Sequence, residues 1–317
     1  MTSVGSQHIS IGQLHAGQIK AFKALQGHRF KALRCGRRFG KTDFAKIWIS
    51  DGLARGYECA WFTPQHNTWS EVYSALTDTF RPFLAQKSRS PGVVRLHNGG
   101  RLDFWALGNE IAGRGRRYRR VVIDEAAFGK DGDENTDGSL MSAWLKAIKP
   151  TLYDFAGEAL VCSSPLGRNP ENFFYRVCTD PSFGFKAYHA TIMDNPLLPL
   201  RQPEESTAAW KVRREHYIAT LKAENLPLVY EQEYLARFVD WSGFAFFRRE
   251  NLLQDGHGVA YPQGCHGVFA IIDTASKTGH EHDGTAVCFF ARTRDEAQPL
   301  IVLDWDIIQI EGALLES

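Results

Sequence analysis

An open α/β sheet with its chemistry at the strand ends is the fold class this sequence predicts, on three observations. Apolar runs of strand length alternate with stretches of helical periodicity through most of residues 14–237. Several of these runs stop at small polar or acidic groups: Thr63-Pro64-Gln65, Asp124-Glu125 and Ser163-Ser164-Pro165. A turn rich in Gly and Arg, Arg34-Cys35-Gly36-Arg37-Arg38-Phe39-Gly40-Lys41-Thr42, separates an early strand from a helix. Alternation of this kind builds a mostly parallel sheet covered on both faces, with its ligand at the carboxyl ends of the strands.

Residues 1–13 are a polar lead-in, and residues 14–25 a short amphipathic helix carrying Phe22 and Gln18, the latter either an exposed helical glutamine or a reader of an adenine edge. Residues 30–33 form a short buried strand. The spacing of Phe44, Ile47, Trp48 and Leu53 then predicts a helix over 43–53. Residues 57–63 make a second buried strand and residues 67–83 a helix. Residues 93–96 and 102–107 pair as a hairpin, because Asn98-Gly99 supplies the positive φ of a tight turn. Apolar strands follow at 120–123 and 158–162, then helices over 171–178, 206–224 and 228–237. Composition shifts near residue 240. The predicted organisation is a domain over 1–240, a linker over 241–267 rich in Gly, Phe and polar turns, and a second unit over 268–317. Strands at 268–272, 285–291 and 300–308 begin that unit without closing a core.

The chain has 317 residues, 44% of them hydrophobic and 23% charged, the composition of an ordinary globular protein. A net charge of +1 excludes a bulk polycation, so any nucleic-acid contact must come from local clusters. Six scattered cysteines without a C-x-x-C pair predict reduced thiols, several of them buried. No apolar signal region or membrane-length run occurs, so the expectation is a soluble cytoplasmic protein without membrane contact.

A loop between strand and helix is where backbone N–H groups and the helix dipole converge on an anion. Gly36, Arg37, Arg38, Gly40, Lys41 and Thr42 therefore form a candidate phosphate loop. Lys41 would reach the β- and γ-phosphates of ATP, and the Thr42 hydroxyl would ligate Mg²⁺. The template G-x-x-x-x-G-K-[ST] is not met in full, since Cys35 holds its first Gly position. Asp124 would hold the metal and Glu125 would polarise the attacking water, the alternative being a merely acidic helix N-terminus. Five arginines fall within Gly113–Arg120. Such a run is either a solvated basic edge, a DNA-backbone contact, or the source of an arginine finger; Arg114, between two glycines, is the finger candidate. Arg37 would sense phosphate within its own subunit. Ser163 and Ser164 either form a plain turn or hydrogen-bond the γ-phosphate and relay its loss. Asp273, ending the strand at 268–272, and Asp283 in the next loop suit a two-metal nuclease using Mg²⁺ or Mn²⁺, or else an acidic hairpin. His280 and His282 lack further ligands at usable spacing, which favours loop histidines over zinc ligands.

In order and content these motifs resemble the large terminase subunit of tailed bacteriophages, from about Leu14 to the end of the chain. Gln18 precedes Cys-Gly-Arg-Arg-Phe-Gly-Lys-Thr; then come Val-Val-Ile-Asp-Glu-Ala, Ser-Ser-Pro, Asp194-Asn195-Pro196, Tyr230-Glu231-Gln232-Glu233-Tyr234 and Phe269-Ala270-Ile271-Ile272-Asp273. The resemblance implies an additional-strand P-loop ATPase followed by an RNase H-like nuclease domain, incomplete here. It implies a homo-oligomeric, typically pentameric ring on the procapsid portal in the bacterial cytoplasm. A small terminase subunit would select the viral DNA, ATP hydrolysis would move double-stranded DNA, and the nuclease would cut concatemers. It makes Gln18 an adenine contact, Lys41, Thr42, Asp124 and Glu125 the ATPase centre, Arg37 and Arg114 the in-subunit and cross-subunit arginines, Ser163-Ser164 the coupling motif, and Asp273 the first nuclease ligand. Further nuclease ligands of the family would fall beyond Ser317, so this chain by itself is expected not to cleave DNA. A P-loop helicase or translocase unrelated to packaging, and a non-enzymatic DNA- or capsid-binding remnant, are the two competing readings.

Overall fold

The computed structural model describes residues 10–65, 69–107, 112–241, 253–254, 257–258, 265–273, 285–293 and 300–308. The chain divides into two compact units, 1–241 and 242–317.

In the first unit, α1 (Ala16–Leu25) leads to β1 (Phe30–Cys35), α2 (Lys41–Ala54), β2 (Glu58–Thr63) and α3 (Ser70–Thr79). Three strands follow: β3 (Leu84–Arg89), β4 (Gly92–Leu96) and β5 (Arg101–Ala106). After β6 (Arg120–Asp124), a short α4 (Leu140–Ala143) runs on through a π turn, Trp144–Ile148, and a 3₁₀ turn, Lys149–Leu152. Then come β7 (Glu158–Ser163), α5 (Phe173–Thr179), β8 (Phe185–Ala190), α6 (Thr207–Glu224) and α7 (Pro227–Val229), the last continuing as a π turn over Tyr230–Tyr234.

Eight strands form one sheet in the order β3-β4-β5-β2-β6-β7-β1-β8. Pairing is parallel from β5 to β8 and antiparallel only where β3 and β4 extend the edge. The expected mostly parallel sheet is therefore present. One strand, β7, stands between β1 and the acidic β6, which is the extra strand of the additional-strand class.

The central strands are apolar on both faces because both faces are covered. Leu33, Trp61, Val122 and Leu160 pack with Ala21, Phe44, Ile49 and Leu76 from α1–α3 on one side. Ala32, Phe62, Ile123 and Val161 pack with Met141, Trp144, Phe173 and Phe174 on the other. Each of the Leu, Ile, Val, Phe and Met side chains among these, moved from water to the core, contributes about 1.5–3 kcal/mol. Alternate residues of every central strand thus have opposite partners, which fixes the register and hence the placement of each strand's C-terminal end.

Several expectations shift in detail. The predicted hairpin forms with Asn98 at its turn, its side chain bonded to the Leu53 and Ala54 carbonyls. The helix expected over 67–83 is α3 followed by a 3₁₀ turn at Arg81–Phe83; residues 66–68 lie outside the described residues. The helix expected over 228–237 is mostly π turn. β3, α4 and β8 are additional elements: residues 84–89 and 185–190 carry no clear apolar period, whereas Leu140, Trp144, Ile148 and Leu152 do recur at helical spacing and stand outside the helices expected above.

In the second unit, β9 (Leu253–Gln254) and β10 (His257–Gly258) pair within the predicted linker. β11 (Gly267–Asp273), β12 (Thr285–Arg292) and β13 (Leu300–Ile308) make an antiparallel meander, with Phe269 and Phe290 stacked at 5.4 Å. Cys35, Cys59 and Cys162 are buried free thiols, and Cys178 and Cys288 are half-buried ones.

Candidate functional site: a phosphate loop facing two carboxylates

β1 ends at Cys35, which is fully buried, and the loop opens at Gly36. A Cβ at Gly36 would lie 2.1 Å from the Tyr234 carbonyl oxygen, so only glycine fits there. That explains the shifted template: position 35 is still strand and core, and the close backbone approach comes one residue later. Gly40 closes the loop at φ 92 as the N-cap of α2, so Lys41 and Thr42 occupy the first helical turn, whose N–H groups have no acceptor inside the helix.

Three successive carbonyls of this loop are held from outside. Asn195 Nδ2 donates to the Arg38 carbonyl at 2.7 Å, His15 Nε2 meets the Phe39 carbonyl at 2.9 Å, and Gln18 Nε2 donates to the Gly40 carbonyl at 2.8 Å. The other end of the Gln18 amide accepts from the His15 N–H at 3.0 Å, completing a capping box on α1. Gln18 thus braces the loop, and it also borders a cavity of about 540 Å³ lined by His15, Gly40, Asp43, Lys46 and Asn195. Arg37 is tied on both sides to Glu233: its N–H to the carbonyl at 2.6 Å and its Nε to Oε2 at 2.7 Å. Arg38 is exposed and lies at φ 66, with no side-chain partner among the described residues.

The acids arrive on β6, one strand beyond β7. The Thr42 hydroxyl donates to Asp124 Oδ2 at 3.2 Å, and Lys41 Nζ lies 3.0 Å from Glu125 Oε1. Asp124 is 5% exposed; its Oδ1 accepts from the Cys162 thiol at 3.2 Å and the Glu125 N–H at 3.1 Å. Glu125 stands at φ 54, the left-handed turn that swings its carboxylate beside Lys41. The Ser163 hydroxyl donates to Glu125 Oε2 at 3.4 Å and accepts from the Ala127 N–H at 3.2 Å. Burial, and then the neighbouring Glu125 charge, push the Asp124 carboxyl above its usual range. Burial works to lower the Lys41 ammonium, but Glu125 and then Asp124 outweigh it and raise the pKa.

Lys41, Thr42, Asp124, Glu125 and Ser163 therefore meet at the ends of β1, β6 and β7. Ser164, also buried, makes no polar contact among the described residues. Thr42 and Asp124 fit a magnesium ion: both offer hard oxygen, they already touch, and Mg²⁺ beside phosphates needs only one or two protein ligands. In the arginine run, Arg116 approaches Asp103, Arg117 pairs with Asp154, Arg119 stacks on Phe155 and Arg120 pairs with Asp51. Arg114 alone in that run is exposed and without a partner among the described residues. Asp273 ends β11, exposed, on the face shared with Ile271; Asp304 and Asp306 are on the opposite face. Asp283 lies outside the described residues, as do His280 and His282. Among the described residues no group of three or more His, Cys, Asp or Glu could hold a metal, and no helix is long and apolar enough to cross a membrane.

Sequence reasoning gave no role to His15, Cys162, Asn195 or Glu233. His15 replaces the usual Ser, Thr, Asp or Asn of an N-cap and so carried no signal. Asn195 and Glu233 stood in quoted motifs but reach the loop only through the tertiary fold.

The strand order, with β7 inserted between β1 and β6, defines an open, mostly parallel α/β sheet of the additional-strand class. Solved structures with this fold include the ATPase domain of the large terminase of a Thermus phage, at 22% identity and TM-score 0.51, covering 72% of this chain and 94% of that one. The large terminase of a thermophilic bacteriophage matches at 12% identity and TM-score 0.54, over 96% of this chain and 69% of that one. The same terminase in complex with ADP matches at 10% identity and TM-score 0.53, over 88% and 65%. The fold is thus that of the large terminase ATPase domain. No protein-family model and no curated protein matches the sequence.

Proposed function

We propose that this chain is the ATPase of a phage DNA-packaging motor, hydrolysing ATP to translocate double-stranded DNA into a procapsid. The observation that carries this reading is the meeting of Lys41, Thr42, Asp124 and Glu125 across β7 within a terminase-type fold. The loop N–H groups and the first turn of α2 would cradle the phosphates, with Lys41 neutralising the outer ones. Thr42 and Asp124 would hold Mg²⁺, which would supply charge neutralisation to the phosphates. Glu125 begins bound to Lys41. Once the γ-phosphate takes the ammonium, the carboxylate is free to accept a proton from the attacking water. Ser163, bonded to Glu125 and to the Ala127 N–H, is placed to pass a change at Glu125 into the segment after β6.

Arg37 is the in-subunit phosphate sensor, Arg114 the finger offered to a neighbouring site, and Gln18 the adenine-side contact. The working form is a homo-oligomeric ring, pentameric in this reading, docked on the portal in the host cytoplasm, with a small terminase subunit choosing the DNA. Asp273 and Asp283 would be metal ligands of a nuclease site. Phosphate release by the wild type and by Lys41→Ala, with and without linear duplex DNA, tests the ATPase. Equal background rates would sink the reading. ATP-dependent protection of DNA from added nuclease, in the presence of procapsids, separates packaging from other translocation.

A further inference from the structure

We propose that Asn195 is a positioning residue of the phosphate loop, holding the Arg38 peptide so that its carbonyl points away from the anion. The inference rests on the nucleotide reading above, and it gives a task to a segment, Asp194-Asn195-Pro196, that the ATPase chemistry leaves unused. Three observations converge on it. First, the donor end of the Asn195 amide meets the Arg38 carbonyl at 2.7 Å, and Arg38 stands at φ 66, a conformation that residues with a Cβ adopt reluctantly. Second, the acceptor end is also used: Asn195 Oδ1 takes the Leu197 N–H at 2.9 Å, so the amide cannot flip without losing both bonds. Third, the segment that carries Asn195 is wedged in place. A Cβ at Gly17 of α1 would lie 2.0 Å from the Asp194 carbonyl oxygen, so α1 and this segment touch backbone to backbone. From the other side the Arg214 guanidinium, on α6, donates to the carbonyls of Asn195 at 2.9 Å, Met193 at 2.8 Å and Leu198.

Asn195 is 7% exposed and touches no carboxylate of the catalytic pair, so it acts through Arg38. Without its donor, the peptide after Arg38 is free to turn, and its carbonyl dipole can face the phosphates that the loop should attract. Arg214 supports the same geometry one step back. Its planar fork satisfies three carbonyls from one position, which a lysine ammonium does not reproduce.

Asn195→Asp isolates the clamp, because a carboxylate still accepts the Leu197 N–H but has no proton to give Arg38. Binding of a non-hydrolysable ATP analogue with Mg²⁺, followed by calorimetry, is compared among wild type, Lys41→Ala, Asn195→Asp and Arg214→Lys, beside nucleotide-free melting temperatures and kcat at saturating ATP. The expected result for Asn195→Asp is a Kd raised about tenfold, the size expected for a lost hydrogen bond that leaves its acceptor unpaired. Its melting temperature should fall by no more than about 6 °C, the cost of one buried hydrogen bond in a domain of this size, and kcat should stay within roughly twofold, since the catalytic pair is untouched. Equal affinity of wild type and Asn195→Asp, with Lys41→Ala impaired, overturns the inference and leaves the nucleotide reading standing. Failure of the wild type to bind removes both. If Asn195→Asp melts far below wild type, Arg214→Lys decides: about threefold weaker binding at unchanged melting temperature supports the clamp, and unchanged binding overturns it.

Discussion

The Lys41 ammonium lies 3.0 Å from one oxygen of the Glu125 carboxylate, and the other oxygen accepts from the Ser163 hydroxyl. The lysine and the carboxylate to which the proposed reaction gives separate tasks therefore hold each other. Replacing Glu125 by Gln keeps the shape, removes the proton acceptor and frees Lys41 for phosphate. Hydrolysis at saturating ATP should fall by roughly 10²–10⁴, the usual contribution of a general base. Nucleotide affinity should hold or tighten. Single-turnover phosphate release together with titration calorimetry measures both, and a variant that loses binding as well would show Glu125 to be a structural partner of Lys41.

Asp124 illustrates a conflict between stability and function. It is buried, negatively charged and next to Glu125, and its pKa is raised. A raised folded-state pKa means that the native protein binds its proton more tightly than the unfolded chain, so the ionised form costs stability above that pKa. Asp124→Asn removes the charge, keeps an acceptor for the Cys162 thiol and the Glu125 N–H, and lets the Thr42 hydroxyl rotate to accept. The nucleotide-free variant should melt about 2–4 °C higher near neutral pH, the shift that roughly 1 kcal/mol gives a domain of this size, while hydrolysis is lost. A lower melting temperature would mean that the hydrogen bonds to the carboxylate outweigh its burial.

How far the sequence revealed these arrangements depends on how local each one is. Lys41-Thr42 and Asp124-Glu125 were legible because an apolar strand runs directly into them, and the parallel register of β6 with β7 and β7 with β1 carries the rest. The shift of the loop glycine to position 36 had no local cause: it comes from the Tyr234 carbonyl, nearly two hundred residues away in the chain. Asn195 and Glu233 were hidden for the same reason. β3 and β8 escaped because they are edge strands, Leu-Ala-Gln-Lys-Ser-Arg and Phe-Lys-Ala-Tyr-His-Ala, with few buried side chains to set an alternating pattern.

The segment before α6 should be acid-sensitive. Arg213 Nε and Nη2 grip the two oxygens of Glu205 at 2.8 and 2.7 Å, and these hydrogen bonds hold its carboxyl down at about 2 from a usual 4.5. A depressed folded-state pKa means that the pair's stabilisation is complete above pH 4.5 and is lost as the pH falls towards 2. Thermal melts of wild type and Glu205→Gln across that range should differ at pH 5 and above and converge at the acid end. Curves that stay parallel through the whole window would show that the pair adds nothing to folding.

Arg114 is set apart from its neighbours by having no side-chain partner among the described residues. Arg116, Arg117, Arg119 and Arg120 each engage an acid or a ring of the same chain, whereas Arg114 is exposed between Gly113 and Gly115, both at positive φ. Those four contacts hold residues 116–120 and leave Arg114 exposed and, among the described residues, unpaired, as a finger for a neighbouring subunit would need to be. Arg114→Ala and Lys41→Ala should each abolish hydrolysis in assembled rings. They fail for different reasons, however: the first subunit keeps its own phosphate loop, and the second keeps its finger. Mixed in equal amounts, they should regain about a quarter of the wild-type rate, because half the subunits keep an intact loop and half of those meet an intact finger. An unrestored rate, in mixtures confirmed to form rings, would place Arg114 at its own subunit's nucleotide or outside the reaction altogether.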